Sequence, residues 1–473
     1  MRIAPTFKEV IDNQDYQPEL YDVTRYFHNV KIDGKFAPIQ GEEGNCLVVF
    51  LAYTMMKTPA IIESYSGGGK TCMANAVLSL IPEEERYRVE LGSDKSVWYD
   101  RAEINEKSYI YAPELQKCMQ NLDVRELLKN WGEGKDAERK VAQSVFGQED
   151  STKNQIIKWH PFISTFALEN KDAFIDEELR RRVITIHTDC SRTQTKEVLK
   201  SKLQRIAAPH KMLTMSEEEI MKLRLHVLHI IGETKEKIPE FLNPFAPLLE
   251  NSIPDVFTIS RSYIDYLINV INASALFYSK KRFKYKERIV VAPQDNWIAM
   301  RIYGSQFFES CLKIPMLGKE ILKLFPKKIV QGEQTLDDSF LDTKTLQQKM
   351  KENGYLLESG KIRAILGLLT MSGYLEENET KDKKKSYCIG SLSANWDTHV
   401  DWADAINKTK DFIKKEYNDM LKDYDEKYCK DMSIIDPING NKINLLEIKN
   451  GGKENIEKME IKGVLDEFLT KER

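Results

Sequence analysis

The sequence predicts an α/β fold on three observations. A short apolar stretch, Pro59-Ala60-Ile61-Ile62-Glu63, has the length of a buried strand. It runs into Ser64-Tyr65-Ser66-Gly67-Gly68-Gly69-Lys70-Thr71 and then a helix-competent run, Cys72 to Leu78, that ends near Pro82. Further short strands follow at Tyr87 to Leu91, Ser108 to Ala112, His160 to Asn170 and Val183 to Ile186. The chain has 473 residues, room for about two to four domains. With 30% charged and 41% hydrophobic residues it has the balance of a globular protein.

Composition narrows the function. A net charge of -3 excludes a global basic field, so any nucleic-acid contact must use local patches. Cys46, Cys72, Cys118, Cys190, Cys311, Cys388 and Cys429 are scattered without a Cys-x-x-Cys pair, which argues against a zinc site or a disulfide framework. The longest apolar run, Cys46 to Met56, is too short to span a bilayer, and no secretory leader is read. The expectation is a cytoplasmic chain without a membrane partner.

Strand, glycine loop, Lys-Thr and helix together have the pattern of a phosphate cradle. Glycines let backbone N–H groups turn inward at a helix N-terminus whose dipole favours negative charge. Ser66, Gly67, Gly68, Gly69, Lys70, Thr71 and Cys72 are the predicted nucleotide-binding residues. Lys70 would reach the β- and γ-phosphates of ATP, and the Thr71 hydroxyl would ligate Mg²⁺. Ser64 stands where the consensus has glycine, and Gly67 and Gly68 are expected to restore the flexibility it removes. The alternative is a flexible turn that happens to precede Lys-Thr.

Residues 1 to 44 mix Tyr16, Tyr21, Tyr26, Phe27 and Phe36 with many charges and read as a collar; Asn45 to Lys57 reads as a helix feeding the first strand. The strand Ser108 to Ala112 runs directly into Pro113-Glu114. A carboxylate at such a strand end holds Mg²⁺ or orients the attacking water, and Glu114 takes that role, as catalytic residue and metal contact. Pro113 occupies the place of the usual preceding aspartate, so water would complete the metal shell. Alternatively Glu114 only starts the next helix.

Glu138 to Phe146 and Gln155 to Trp159 are strand-like, separated by the turn-forming Gly147 to Asn154. This predicts a β-hairpin carrying Arg139, Lys140, Lys153 and Lys158, either tracking the phosphates of single-stranded DNA or simply solvated. The strand from His160 ends at Asn170, which would help hold the attacking water, with Thr165 as the lesser candidate. Arg180-Arg181-Arg182 follows, just before the strand Val183 to Ile186. Arg182 or Arg181 is expected to act as an arginine finger on a neighbouring subunit's γ-phosphate, worth roughly 10³- to 10⁵-fold in rate.

This order of features resembles an AAA+ ATPase. The hairpin before the polar strand end is similar to the pre-sensor-1 insertion of the helicase clade, which holds the minichromosome maintenance and superfamily-3 helicases. The Pro113-Glu114 strand end is closer to superfamily 3, and the later chain to minichromosome maintenance. A long amphipathic helix from Thr258 through Phe277 and a second from Trp297 to Ser310 would form the lid, and the resemblance implies a sensor-2 role for Arg261. Otherwise Arg261 is a surface charge of the lid. The resemblance covers about residues 45 to 310.

Beyond it, Leu317 to Phe325, Thr343 to Lys351 and Ser359 to Ser372 read as three helices. Tyr374-Leu375-Glu376 and Ser386 to Ile389 flank a lysine-rich tip, giving the pattern of a winged helix. Lys361, Arg363, Lys383 and Lys384 would meet duplex phosphates if the unit binds DNA rather than a partner protein. Residues 392 to 473 read as a charged interaction tail, with one long helix from Trp396 to Cys429.

The expected organisation is a collar (1–44), an AAA+ core with an inserted hairpin (45–190), a helical lid (191–310), a winged helix (311–391) and a tail (392–473). The expected activity is that of a ring-forming, hexameric DNA helicase of replicative type, a homo-oligomer using ATP and Mg²⁺ on single-stranded or forked DNA beside a replication protein. Two other readings stay open. One is an AAA+ switch or loader acting on a protein; the other is an ATP-regulated winged-helix DNA-binding protein.

Overall fold

The computed structural model describes residues 17–448 apart from 33–34, 90–95, 144–150, 169–176, 209–214, 251–252, 254–257, 312–313, 315, 327–329, 332–333, 336–339, 372, 380–384 and 391–401. Its centre is a five-stranded, all-parallel sheet. In chain order the strands are β1 (Ala60–Ser64), β2 (Arg86–Arg88), β3 (Tyr109–Ala112), then β6 (Phe162–Ala167) and β7 (Ile184–His187), with β4 (Ala137–Gln143) and β5 (Ser151–Ile157) forming a separate hairpin between them. Across the sheet the order is β2-β3-β6-β1-β7. The α/β class expected from the sequence is therefore present.

The three inner strands, β3, β6 and β1, are apolar on both faces, as a sheet covered on both sides requires. In β1, Ala60 and Ile62 enter one core while Ile61 enters the other. In β3, Tyr109 and Tyr111 face the first, and Ile110 and Ala112 the second. The larger core is built from α1 (Leu20–Asn29), α2 (Glu43–Val49), α3 (Lys70–Leu78), α6 (Glu217–Glu233), α7 (Ser260–Phe277) and α8 (Pro293–Cys311). Helix α2 continues as a π-helical turn, Phe50–Met55, every residue of which is buried. The smaller core rests on α4 (Leu122–Gly132) and the base of the hairpin β4 (Ala137–Gln143) and β5 (Ser151–Ile157). Between β7 and α6 runs α5 (Arg192–Ala207), a helix with no buried residue.

Residues expected to form a collar instead join this core. Leu20, Val23, Tyr26 and Phe27 are all at most 3% exposed, and the Thr24 hydroxyl donates to the Pro437 carbonyl at 2.6 Å. Helices α6, α7 and α8 share the same apolar cluster. A second unit comprises α9 (Met316–Leu322), α10 (Thr343–Glu352) and α11 (Ser359–Met371). It carries a small antiparallel sheet of β8 (Leu341–Asp342), β9 (Leu375–Glu379) and β10 (Lys385–Ile389), ordered β8-β10-β9.

The segment read as a charged tail is packed instead. The helix expected from Trp396 to Cys429 is described as α12 (Trp402–Glu416), broken at Tyr417 and followed by short helical turns from Asn418 to Cys429, and Trp396 lies outside the described residues. Trp402 stacks on Phe245 with ring centroids 5.4 Å apart, and Tyr428 donates to the Val290 carbonyl at 2.8 Å. Among the described residues no helix is long and apolar enough to cross a membrane, and all seven cysteines are free thiols.

His160, just before β6, is buried edge-on against Trp131, and burial pushes its pKa down to about 4. The folded chain thus refuses a proton that the unfolded chain accepts below about pH 6.5. The histidine's contribution is present above that pH and lost as pH falls toward 4. His160→Phe keeps a flat ring that does not titrate. The stability gap between wild type and this variant should shift against wild type by on the order of 3 kcal/mol from pH 7 to pH 4, in urea melts. A gap independent of pH would show that His160 is not held neutral.

Candidate functional site

The glycine loop leaves the C-terminal end of β1, in mid-sheet between β6 and β7, and enters α3. Gly67 and Gly69 have φ of +80° and +83°, a left-handed backbone that only glycine adopts without cost. Gly68 serves a different need. A Cβ there would lie 1.9 Å from Ser64 Oγ and 2.9 Å from Cys190 Sγ. Ser64, the departure from the glycine consensus, sits at the loop's base, its hydroxyl bonded to Thr188 and 3.0 Å from Cys190 Sγ. So Gly67 and Gly69 supply the turn, and Gly68 makes room for the serine. Gly68→Ala should cost about 1–3 kcal/mol by overpacking, read as a lowered denaturant midpoint; an unchanged midpoint would show that the Ser64 hydroxyl turns away freely.

Lys70 opens α3, and its ammonium donates to the carbonyls of Ser64 at 3.1 Å and Tyr65 at 2.8 Å. Ser66, Gly67, Gly69 and Thr71 are exposed along the same rim. Cys72 is half-buried, its thiol against the Ala37 carbonyl at 3.3 Å, and burial pushes its pKa up. It packs against the larger core.

Glu114 follows β3, separated from the loop strand by β6. Two strand spacings put it about 10 Å from β1 across the sheet. Its backbone is left-handed, φ +53°, and its N–H donates to the Thr165 hydroxyl at 3.2 Å. Ser164, the preceding residue of β6, donates its hydroxyl to the Ala112 carbonyl, so β6 grips the Pro113-Glu114 corner from both sides. The Glu114 carboxylate is half-exposed and paired with Lys117. Asn170 lies outside the described residues.

The arginine row divides into three environments. Arg180 donates to Glu63 at 2.8 Å, and His187 contacts the other oxygen of the same carboxylate at 3.0 Å. Glu63 is 1% exposed, on the strand that feeds the loop. Burial pushes its pKa up, but His187 and Arg180 outweigh that and hold it below the usual carboxylate range. Arg182 bridges Glu133 at 2.7 Å and Glu178 at 2.8 Å. Arg181 is exposed, and its carbonyl accepts from Tyr266 of α7 at 2.7 Å. Arg261 is exposed on the first turn of that same helix. The Glu63 network was not read from sequence, although a lone carboxylate inside Ala60-Ile61-Ile62-Glu63 signals a buried partner.

The hairpin exists, but its second strand begins at Ser151 rather than Gln155. Lys140 pairs with Asn154 and Val141 with Lys153 in the ladder. Arg139 is tied to Asp123 at 2.7 Å at the hairpin base. Lys158 is exposed beyond β5, its N–H bonded to Asn105 and its carbonyl to the Trp131 indole, each at 2.8 Å. In the second unit Lys361 and Arg363 are exposed on α11, and Lys383 and Lys384 lie outside the described residues.

Among the described residues no group of three or more His, Cys, Asp or Glu side chains could hold a metal ion by itself. Thr71 and Glu114 offer hydroxyl and carboxylate oxygens, a set that suits Mg²⁺ only where phosphates and water supply most of the shell. No protein-family model matches the chain, and no curated protein matches it.

Proposed function

We propose that this chain is an AAA+ ATPase of the helicase clade, assembling as a hexameric ring and moving DNA with the energy of ATP hydrolysis. The observation that carries the reading is the loop between β1 and α3, with left-handed glycines at 67 and 69 and Lys70 at the helix start. The sheet order supports it. With β6 between the loop strand and β3, Glu114 stands off by about the space that a γ-phosphate and a water need.

In this reading Lys70 and the loop amides bind the phosphates. Mg²⁺, held by Thr71, Glu114, phosphates and water, would neutralise charge building on the γ-phosphate. Glu114 orients the water, its corner fixed by Ser164 and Thr165, with Asn170 assisting. The finger reaching the next subunit is Arg182 or Arg181; Arg182 would exchange its bridges to Glu133 and Glu178 for the phosphate. Arg261 joins from the lid. The unit of three helices and the sheet β8-β10-β9 is then a winged helix over about 311–391. The collar, lid and tail become supports of the core rather than separate bodies.

Steady-state ATP hydrolysis with and without single-stranded DNA tests this. DNA stimulation of at least about tenfold is expected, lost in Lys153→Ala/Lys158→Ala. Hydrolysis indifferent to DNA would turn the reading toward a switch or loader acting on a protein. Arg139, tied to Asp123 and so not offered to a strand, is the observation favouring that second reading.

A further inference from the structure

Tyr355, between α10 and α11, is 7% exposed, and its hydroxyl has no hydrogen-bond partner among the described residues. Buried hydroxyls are rarely left so. Tyr355 belongs to the apolar cluster of α9, α10 and α11, against which Cys190, after β7, and Tyr65 of the glycine loop pack. Burial, with the Glu320 and Asp189 carboxylates close by, pushes its pKa up, so the phenol keeps its proton and remains a donor.

The unit that carries Tyr355 is seated on the loop. Tyr65 and Cys190 pack against the apolar cluster of α9, α10 and α11. Arg192 donates its N–H to the Asn353 carbonyl at 3.2 Å and its guanidinium to the Glu352 carbonyl at 3.3 Å. Lys319 of α9 pairs with Glu309 of α8 at 2.5 Å. Tyr65 thus belongs to two systems. Its side chain packs on the second unit, while its carbonyl accepts from Lys70 at 2.8 Å and from the Gly68 N–H at 3.1 Å. A phosphate that captures Lys70 removes one donor from that carbonyl.

We propose that Tyr355 is a positioning residue for the glycine loop, its hydroxyl engaging the loop when a bound triphosphate draws Lys70 off the Tyr65 carbonyl, so that seating of the α9–α11 unit and nucleotide occupancy are coupled. This rests on the phosphate-binding reading above. Coupling is reciprocal: whatever nucleotide does to the seating, the seating does to nucleotide affinity.

The test uses the full chain and Tyr355→Phe, which keeps the ring and removes the hydroxyl. A fluorescent non-hydrolysable ATP analogue reports affinity, thermal melting without nucleotide reports stability, and amide hydrogen exchange of α10 and α11 reports seating. The variant should bind the analogue about 3- to 10-fold more weakly, in line with one hydrogen bond lost. Its melting temperature without nucleotide should not fall. Exchange in α10 and α11 should slow on binding in wild type, and less so in the variant. Equal affinities, unchanged exchange on binding in wild type, or a variant that melts earlier without nucleotide would each overturn the coupling and leave the phosphate cradle intact. An analogue that fails to bind wild type would overturn the cradle reading and the coupling with it.

Discussion

Lys70→Ala is expected to lower ATP hydrolysis by about 10²- to 10³-fold, the range for removing one donor aimed at charge that develops in a transition state. The reason is local. The ammonium now rests on two neutral carbonyls, Ser64 and Tyr65, at the start of a helix whose exposed amides already favour an anion. A phosphate oxygen is the stronger acceptor, and charge-assisted bonds are about twice as strong as neutral ones. Stability should barely move, because Lys70 is only partly buried and both carbonyls keep a backbone donor without it, the Leu168 N–H for Ser64 and the Gly68 N–H for Tyr65. Phosphate release measured beside a thermal melt separates the two effects. A variant that keeps more than a tenth of the rate would show that Lys70 does not meet the reacting phosphate.

Asp295→Ala should destabilise the fold by about 3–5 kcal/mol, the cost of stripping one partner from a buried ion pair. Asp295 is fully buried and accepts from Arg282 Nε and Nη2, each at 2.8 Å, from Ser274 at 2.8 Å and from the Ala292 N–H at 2.9 Å. Without it the Arg282 guanidinium is left between the rings of Tyr278 and Tyr428 with its charge unmatched. The effect reaches far because the carboxylate joins α7, the turn after it and the start of α8, and Tyr428 brings in the segment behind α12. Arg282→Met in the Asp295→Ala background removes the orphaned charge and should recover part of the loss in denaturant melts. A double variant no better than Asp295→Ala alone would show that the lost bonds to Ser274 and Ala292 dominate.

The loop that builds the candidate site was legible because its backbone chemistry is local. Glycines at 67 to 69 before Lys-Thr announce a left-handed turn at a helix start, and five short apolar strands announce a covered parallel sheet. Non-local pairing was harder to see. Ser151-Thr152-Lys153-Asn154 looks like a turn by composition, yet its backbone completes a ladder with residues 140–143. Residues 402–448 look solvated because the residues they bury, such as Trp402, Ile406, Ile413, Tyr428 and Leu445, are spread thinly among charges, and because the partner of Asp436, Arg301 at 3.1 Å, lies far away in sequence. Glu63 was hidden for the same reason. Its partners, Arg180 and His187, lie more than a hundred residues away and show no pattern with it in sequence.

The bond from Thr24 to the Pro437 carbonyl joins residues 413 apart, and Leu20 meets the Tyr278 hydroxyl across 258. On a ribosome adding about 5–20 residues per second, α1 waits roughly 20–80 s before its last partner is made. Throughout that interval the apolar faces that Trp402, Met432 and Leu445 later cover are open to water and to other nascent chains. Synthesis should therefore be the most aggregation-prone period in the life of this protein, and its yield in cells should track chaperone supply more closely than the strength of its finished core.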